Sequence, residues 1–405
     1  MRILREKKLL SSWERIDTFL FIDFTNDSFT KGGVSMVSKT CIINAKKDVR
    51  PLNKDRKLNR IYQNPDLHIR EMDLEKLDPF SIRVKMLYFG ICGTDVHLLK
   101  VDPKGYILCS SPIDIPEKGL ILGHEGVGIV LEVGSFVKNF KPDMYVTFES
   151  ILTCNYCKSC RSGNFNQCTN AKLVGLEIDG IFGSIVDVNA SLAHDVSEIA
   201  KNNELNIQAA ACIEPASVAY VACENAKIKG GDNVVVLGAG PIGLFSAMLA
   251  KNIFGASFVN IVEPVEYRRN KAKEFCDSVY DVKEFLDNPP VHIDVIIEAS
   301  GDLEYVNQIF RNLNPNAHIA LLARLGVSLK IDNVDHLITN AITIVGSRGH
   351  LGGAFHKIID LYKHKKIDLC SVVTTVDQGI EKLKYYLQEN PSKITQENCK
   401  VLIKA

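Results

Sequence analysis

The 405-residue sequence contains no apolar run approaching the eighteen or more residues of a membrane span. It has no excess of either charge, because 48 Lys and Arg balance 48 Asp and Glu. No overall field therefore draws it to nucleic acid or to an anionic membrane, and local basic runs such as Arg2–Lys8 read as solvated tails. No secretory leader is expected either: behind Arg2, Arg5, Lys7 and Lys8, the stretch Trp13-Glu14-Arg15-Ile16-Asp17 breaks any apolar core. Internal repeats and low-complexity tracts are absent. What remains is the expectation of a cytoplasmic globular chain, long enough for two domains with separate cores.

Cysteine is plentiful, with twelve in the chain. In a cytoplasmic protein they are expected to be reduced, which argues against disulfides. Four fall within TCNYCKSCRSGNFNQCTN: Cys154, Cys157, Cys160 and Cys168, spaced C-x2-C-x2-C-x7-C. Neighbouring turns at this spacing can aim four sulfurs at one point, which suits a tetrahedral zinc. An iron–sulfur cluster more often shows a Cys-Pro ending or a distant fourth cysteine. With every position filled by protein, such a zinc is structural.

The first 35 residues match nothing downstream. The sequence TKGGVSM ahead of Met36 has the look of a translated purine-rich ribosome-binding site. Residues 1–35 are therefore expected to be a non-native or flexible N-terminal extension. Residues 36–190 read as β-rich: Ser81–Tyr88 alternates with period two, and Gly126–Gly134 is a β-branched run bounded by glycines. From about Asn206 the pattern alternates. Strands are expected at Asn233–Leu237, Phe258–Val262, Ile293–Glu298 and His318–Leu322, and helices at Pro241–Ile253 and Glu266–Cys276. That alternation predicts βαβ units on a parallel sheet. After about Val345 a helix (Phe355–His364) and short strands suggest a return to the first domain.

Between the first of these strands and its helix lies Gly238-Ala239-Gly240-Pro241-Ile242-Gly243, and Glu263 ends the next strand twenty residues beyond Gly243. In that context G-x-G-x-x-G reads as a dinucleotide site: Gly238 for the tight turn, Gly240 for approach of the pyrophosphate, Gly243 for helix–strand packing. Glu263 suits the ribose hydroxyls of NAD and repels the 2′-phosphate of NADP. Arg268 and Arg269 read as helix-surface residues that would serve an NADP reading.

A second ligand set is dispersed. Cys92 stands in ICGTDVH, His124 in GHEGVG and Glu214 in EPASV. A Cys, a His and a carboxylate would leave the fourth position of a catalytic zinc open. From spacing alone, a buried thiol and a satisfied core histidine remain the competing reading.

Taken together, ICGTDVH, GHEGVGIVLEVG, the four-cysteine lobe, IEPASVA, VVLGAGPIGL and DVIIEASG resemble, in order, the zinc-dependent medium-chain alcohol/polyol dehydrogenases over nearly all of residues 38–405. The resemblance implies an α/β protein: a GroES-like irregular β-barrel catalytic domain (36–216, with the zinc lobe 154–168, and again 346–405) around a Rossmann doubly wound parallel sheet (217–345). It implies two Zn2+ per chain, NAD, and a homo-oligomer, dimer or tetramer. Cys92 and His124 match catalytic zinc ligands. Glu214 stands where sorbitol and related sugar dehydrogenases have glutamate, and Glu125 matches an alternating or additional ligand. Thr94 matches the hydroxyl that bonds the substrate alcohol, His97 the outer base of the proton relay, and Asp95 the carboxylate orienting a zinc-bound histidine. The implied activity is NAD-linked oxidation of a secondary hydroxyl of a polyol, cyclitol or sugar to the ketone, or the reverse.

The rivals are a threonine-type or simple alcohol dehydrogenase, a non-catalytic NAD-binding protein that kept the fold, and an iron-cluster electron carrier. Two departures from the family stand out. Lys141-Pro-Asp-Met-Tyr-Val replaces the usual Gly-Asp-Arg-Val, and the segment holding Gly105–Pro116 (GYILCSSPIDIP) is longer than usual. That loop is expected to reach the substrate cleft and to offer Ser110, Ser111 and Asp114 to a many-hydroxyl substrate.

Overall fold

The strand Asn233–Leu237 is five residues of NVVVL, all but its first residue buried. Such a continuous apolar run needs cover on both faces and partners on both edges. In the computed structural model it pairs in parallel with Phe258–Val262 on one side and Ile293–Glu298 on the other. The structure describes residues 36–48, 61–201, 203–290, 292–324, 328–331 and 333–405. The proposed extension, residues 1–35, lies outside them.

The six-stranded parallel sheet runs Ser278–Tyr280, Phe258–Val262, Asn233–Leu237, Ile293–Glu298, Leu313–Leu321, Thr343–Gly346. Numbered along the chain this is the doubly wound order 3-2-1-4-5-6, in which ligands bind at the carboxyl ends of the strands. Helices Ile213–Asn225 and Pro241–Asn252 join the core on one face. Phe285, Val306 and Ile309 cover the other.

Residues before and after this sheet build a second layer together. A seven-stranded sheet runs Ala193–Asp195, Tyr145–Phe148, Glu125–Val133, Ser81–Gly90, Lys400–Lys404, Val373–Gln378, with Ile185–Asn189 also on Ser81–Gly90. Leu402 pairs with Gly90 and Ile403 with Phe89, so the late strand lies beside the segment that leads into Cys92. A three-stranded sheet, Tyr62–Asp73, Val37–Lys47 and Leu120–Ile121, closes the barrel-like part around Tyr62, Phe89 and Phe182.

Two expected elements differ in extent. The helix expected over Glu266–Cys276 ends at Ala272, because the chain must turn into the edge strand Ser278–Tyr280. The strand expected from His318 begins at Leu313. Among the described residues no helix is long and apolar enough to cross a membrane.

Candidate active site and metal centres

ICGTDVH becomes a strand end followed by a seven-residue helix, Gly93–Leu99. The Asp95 carboxylate accepts the Cys92 backbone N–H at 2.9 Å, which closes the helix start and fixes Cys92 at its N-cap. The other Asp95 oxygen lies 3.8 Å from His124 Nδ1, and neither atom has a hydrogen-bond partner among the described residues. Glu125 opens the strand that pairs with Ser81–Gly90, with His124 just before it, which brings Gly90 opposite Glu125. The outcome is a cluster in which one ligand atom each from Cys92, His124 and Glu125 lies within 4.8 Å of the others.

This grouping differs from the trio expected from the sequence. Glu214 shares the cavity, but its carboxylate accepts the Ser150 hydroxyl at 2.9 Å and lies 3.4 Å from His350 Nε2. Glu125 is itself engaged: the wholly buried Lys400 ammonium bonds its carboxylate and also donates to Ile91 O at 3.0 Å. Burial, with Asp95 and Glu214 nearby, pushes the Cys92 thiol up to about 11. Burial likewise brings Lys400 down to about 8, against the opposing pull of Cys92 and Asp95. A thiol, an imidazole with an orphaned nitrogen and several buried carboxylates form a donor set that fits a divalent zinc.

Cys92, Thr94, His97, His124, Glu125 and Glu214 all line one cavity of about 480 Å3. Burial and the Lys100 charge hold His97 below the ordinary histidine range. The far wall belongs to the parallel sheet, through Gly240, Pro241 and Ile242 at the start of helix Pro241–Asn252. Gly238 has φ +98°, and a Cβ on Gly243 would fall 1.9 Å from Gly238 O. Gly240 is different: a Cβ there would meet no protein atom within 4 Å. Two glycines are demanded by the fold and the third by whatever enters the cavity, which fits a dinucleotide's phosphates.

Glu263 is 4% exposed, and its carboxylate accepts Ala239 N–H at 2.7 Å and Val265 N–H at 2.9 Å. It thus braces the glycine loop. Arg268 is not the free helix-surface residue expected: its guanidinium reaches into the cavity lining and donates to Asn398 O at 2.8 Å and Ile394 O at 2.9 Å. Arg269 turns back onto Glu263 O at 3.0 Å.

The other cluster, Cys154, Cys157, Cys160 and Cys168, converges as the spacing implies. Cys168 Sγ lies 3.6 Å from Cys154 Sγ and 3.9 Å from Cys157 Sγ, and all four are free thiols. A tetrahedron with metal–sulfur bonds of about 2.3 Å has edges of about 3.8 Å. Backbone N–H groups, first that of Cys160, bring Cys157 down to about 5, while burial and the adjacent thiols push Cys160 up to about 12. Four converging sulfurs, with Cys157 already held low by backbone N–H groups, fit a cation at their centre.

The elongated loop meets its expectation in part. Ser111 and Cys109 line the cavity. Asp114 does not: it accepts the Tyr62 hydroxyl at 3.0 Å, while its backbone N–H bonds Leu176 O. It secures the loop base. Ser110 is likewise outside the lining.

Sequence reasoning did not single out Ser150, His350, Lys400, Arg324 or Arg348. His350 sits in the glycine-flanked run GSRGHLGG, a loop signal at the end of a parallel strand that could have been followed. Lys400 lies in KVLIK, which gives no sign that the lysine points inward. A second hollow of about 810 Å3, lined among others by Glu198, Tyr362 and Lys366, contains none of the motif residues.

A doubly wound sheet, a glycine loop and a Cys/His/carboxylate cluster in one cavity define a zinc-binding dehydrogenase. Residues 78–198 match the alcohol dehydrogenase GroES-like domain and residues 241–364 the zinc-binding dehydrogenase domain. The chain is 34% identical over 328 residues to scyllo-inosose 3-dehydrogenase of Thermotoga maritima, spanning 75% of this chain and 82% of that one. It is 30% identical over 321 residues to L-threonine 3-dehydrogenase of Pyrococcus furiosus, spanning 77% and 88%. A solved Thermotoga maritima structure described as an alcohol dehydrogenase superposes with a TM-score of 0.81 at 28% identity, covering 91% of this chain and all of that one. The chain belongs to the zinc-dependent medium-chain alcohol/polyol dehydrogenase family.

Proposed function

We propose that the protein oxidises a secondary hydroxyl of a polyol, cyclitol or sugar to the ketone, or runs the reverse, by hydride transfer with NAD. The observation that carries this reading is that Cys92, His124 and Glu125 converge in the same cavity as the open face of Gly240. When bound, zinc supplies a Lewis acid that polarises an alcohol oxygen, and nicotinamide accepts the hydride.

The chain's own residues would do the rest. Cys92 and His124, with Glu125 or Glu214, hold the catalytic zinc; the four-cysteine lobe holds a second, structural one. Asp95 orients His124. The Thr94 hydroxyl takes the alcohol proton, and His97, kept neutral by burial beside Lys100, receives it further out. Glu214, with Ser150 beside it, suits a second hydroxyl on a neighbouring carbon. Glu263 supports NAD over NADP from its place at the strand end, although two backbone N–H groups already share its oxygens. Arg268, fastened beside the cavity, completes the cofactor wall. The same reading divides the chain at 36–216, 217–345 and 346–405, and makes the protein a cytoplasmic homo-oligomer.

Identity to a scyllo-inosose dehydrogenase favours the cyclitol branch, while identity to a threonine dehydrogenase keeps L-threonine as the second reading. An NADH-linked screen of polyols, inositols, aldoses and L-threonine separates the two. Cys92→Ser and His124→Ala are each expected to abolish turnover with little change in melting temperature. Near-wild-type rates in both would remove zinc catalysis from the reading.

A further inference from the structure

The strands Leu313–Leu321 and Thr343–Gly346 are parallel neighbours, with Leu321 opposite Gly346 and Ser347 N–H donating to Leu321 O at 2.9 Å. Each is followed within three residues by an arginine, Arg324 and Arg348. The two guanidiniums thus leave adjacent strand ends, at the edge of the sheet where ligands bind. Both line the cavity that contains Cys92 and His124.

Among the described residues, neither arginine has a hydrogen-bond or ion-pair partner. The cavity's acids are already engaged, Glu125 by Lys400 and Glu214 by Ser150. Arg268 is engaged as well, by backbone carbonyls. Lys100 adds another positive charge to the lining. Burial and the field of Arg348 lower the Arg324 pKa, as suits two like charges on one cavity wall. Cys109, in the elongated loop, feels both Arg324 and Asp95. Arg324 and Arg348 thus share a cavity wall with Ser111 and Cys109 of the elongated loop and with the Cys92 and His124 cluster.

We infer that the substrate of the proposed dehydrogenase carries an oxyanion, a carboxylate or a phosphate ester, held by Arg324 and Arg348. This rests on the reading that the cavity oxidises a hydroxylated carbon chain. Planar guanidinium forks match carboxylate and phosphate geometry, and their hydrogen bonds to an ionised acceptor are roughly twice as strong as those to the hydroxyls of a neutral polyol. An anion between them also relieves their mutual repulsion. The substrate class narrows to sugar acids and sugar or polyol phosphates.

The test compares wild type with Arg324→Gln and Arg348→Gln on three compounds: sorbitol, D-gluconate and sorbitol 6-phosphate. At least one anionic compound is expected to exceed sorbitol tenfold in kcat/KM, and that ratio should fall at least tenfold in each variant. Gluconate against sorbitol 6-phosphate tells carboxylate from phosphate. In parallel, calorimetric titration of the NADH-bound enzyme with gluconate and with inorganic phosphate should show binding that weakens at least tenfold in the variants. Turnover of sorbitol without anion preference, or a preference that survives both substitutions, overturns the inference and leaves the dehydrogenase reading standing. Anion binding that depends on both arginines, without turnover of any compound, keeps the anion site and overturns the reading beneath it. Absence of anion binding in wild type overturns the inference outright.

Discussion

Lys400 is a lysine without solvent, and among the described residues a carboxylate and a carbonyl take the place of water around its ammonium. Removing one member of such a pair strands the other charge, which costs about 3–5 kcal/mol, whereas replacing both often costs little. Lys400→Met is therefore expected to lower stability by about 3–5 kcal/mol, read from urea unfolding. Adding Glu125→Gln should recover much of that loss. Additive losses in the double variant would show that the two groups act independently. At this scale the sequence was least legible. The motifs marked Cys92 and His124 as candidate ligands, because each sits beside glycines or a helix cap that the chain must place locally, whereas Glu125 entered only through the family resemblance. Lys400 and Arg268 acquire their roles from partners more than a hundred residues away, Glu125 and Asn398. No local pattern encodes that.

At the scale of elements, the four-cysteine lobe has little to hold it except its sulfurs. Its helix Lys158–Arg161 has four residues and its 3-10 turn Phe165–Gln167 three, and Tyr156 is 68% exposed. On the proposed reading, a segment so short would fold with its metal. If the proposed two zinc ions per chain hold, Cys157→Ser should leave one by metal analysis and lower the melting temperature. Unchanged zinc content would show that the lobe is not a metal site. The parallel sheet carries a different liability at His318, whose ring nitrogen Nδ1 is buried without a partner between Val295 and Thr343. Burial, then Lys227 and Lys229, holds its pKa below the ordinary histidine value. Below about pH 6.5 the unfolded chain takes up a proton that the folded sheet resists. Stability is thus complete above that pH and falls as pH drops through it. Urea midpoints at pH 7.5 and 5.5 should differ less in His318→Gln than in wild type; equal differences would acquit His318. The parallel strands themselves were readable because apolar runs between turn signals leave few alternatives. Tyr62–Asp73 was not, since YQNPDLHIREMD carries a proline and polar residues, and it is a strand only through its pairing with Val37–Lys47.

Across the whole molecule, Arg268 ties the parallel sheet to the late segment. It grows from helix Glu266–Ala272 and ends on carbonyls of Ile394 and Asn398, next to the strand Lys400–Lys404. Two hydrogen bonds from a half-buried charged group contribute about 1.5–3 kcal/mol, with solvent screening part of it. Arg268→Ala is expected to lose about that much stability and to raise the KM for the nicotinamide cofactor, because the same side chain lines the cavity. A change in KM alone, with stability intact, would make Arg268 a cofactor contact and no tie.

The placement of Lys400–Lys404 in the interior of the seven-stranded sheet, between Ser81–Gly90 and Val373–Gln378, also bears on the order of folding. The lysine that neutralises Glu125 lies 275 residues further along the chain. Contacts of such long range form slowly, because a large loop must close before they return any free energy. The parallel sheet is assembled from sequence neighbours and can form first. A refolding chain should then recover its helical signal, and even its grip on the nicotinamide cofactor, before it recovers turnover. The reacting centre is the last part of this protein to become itself.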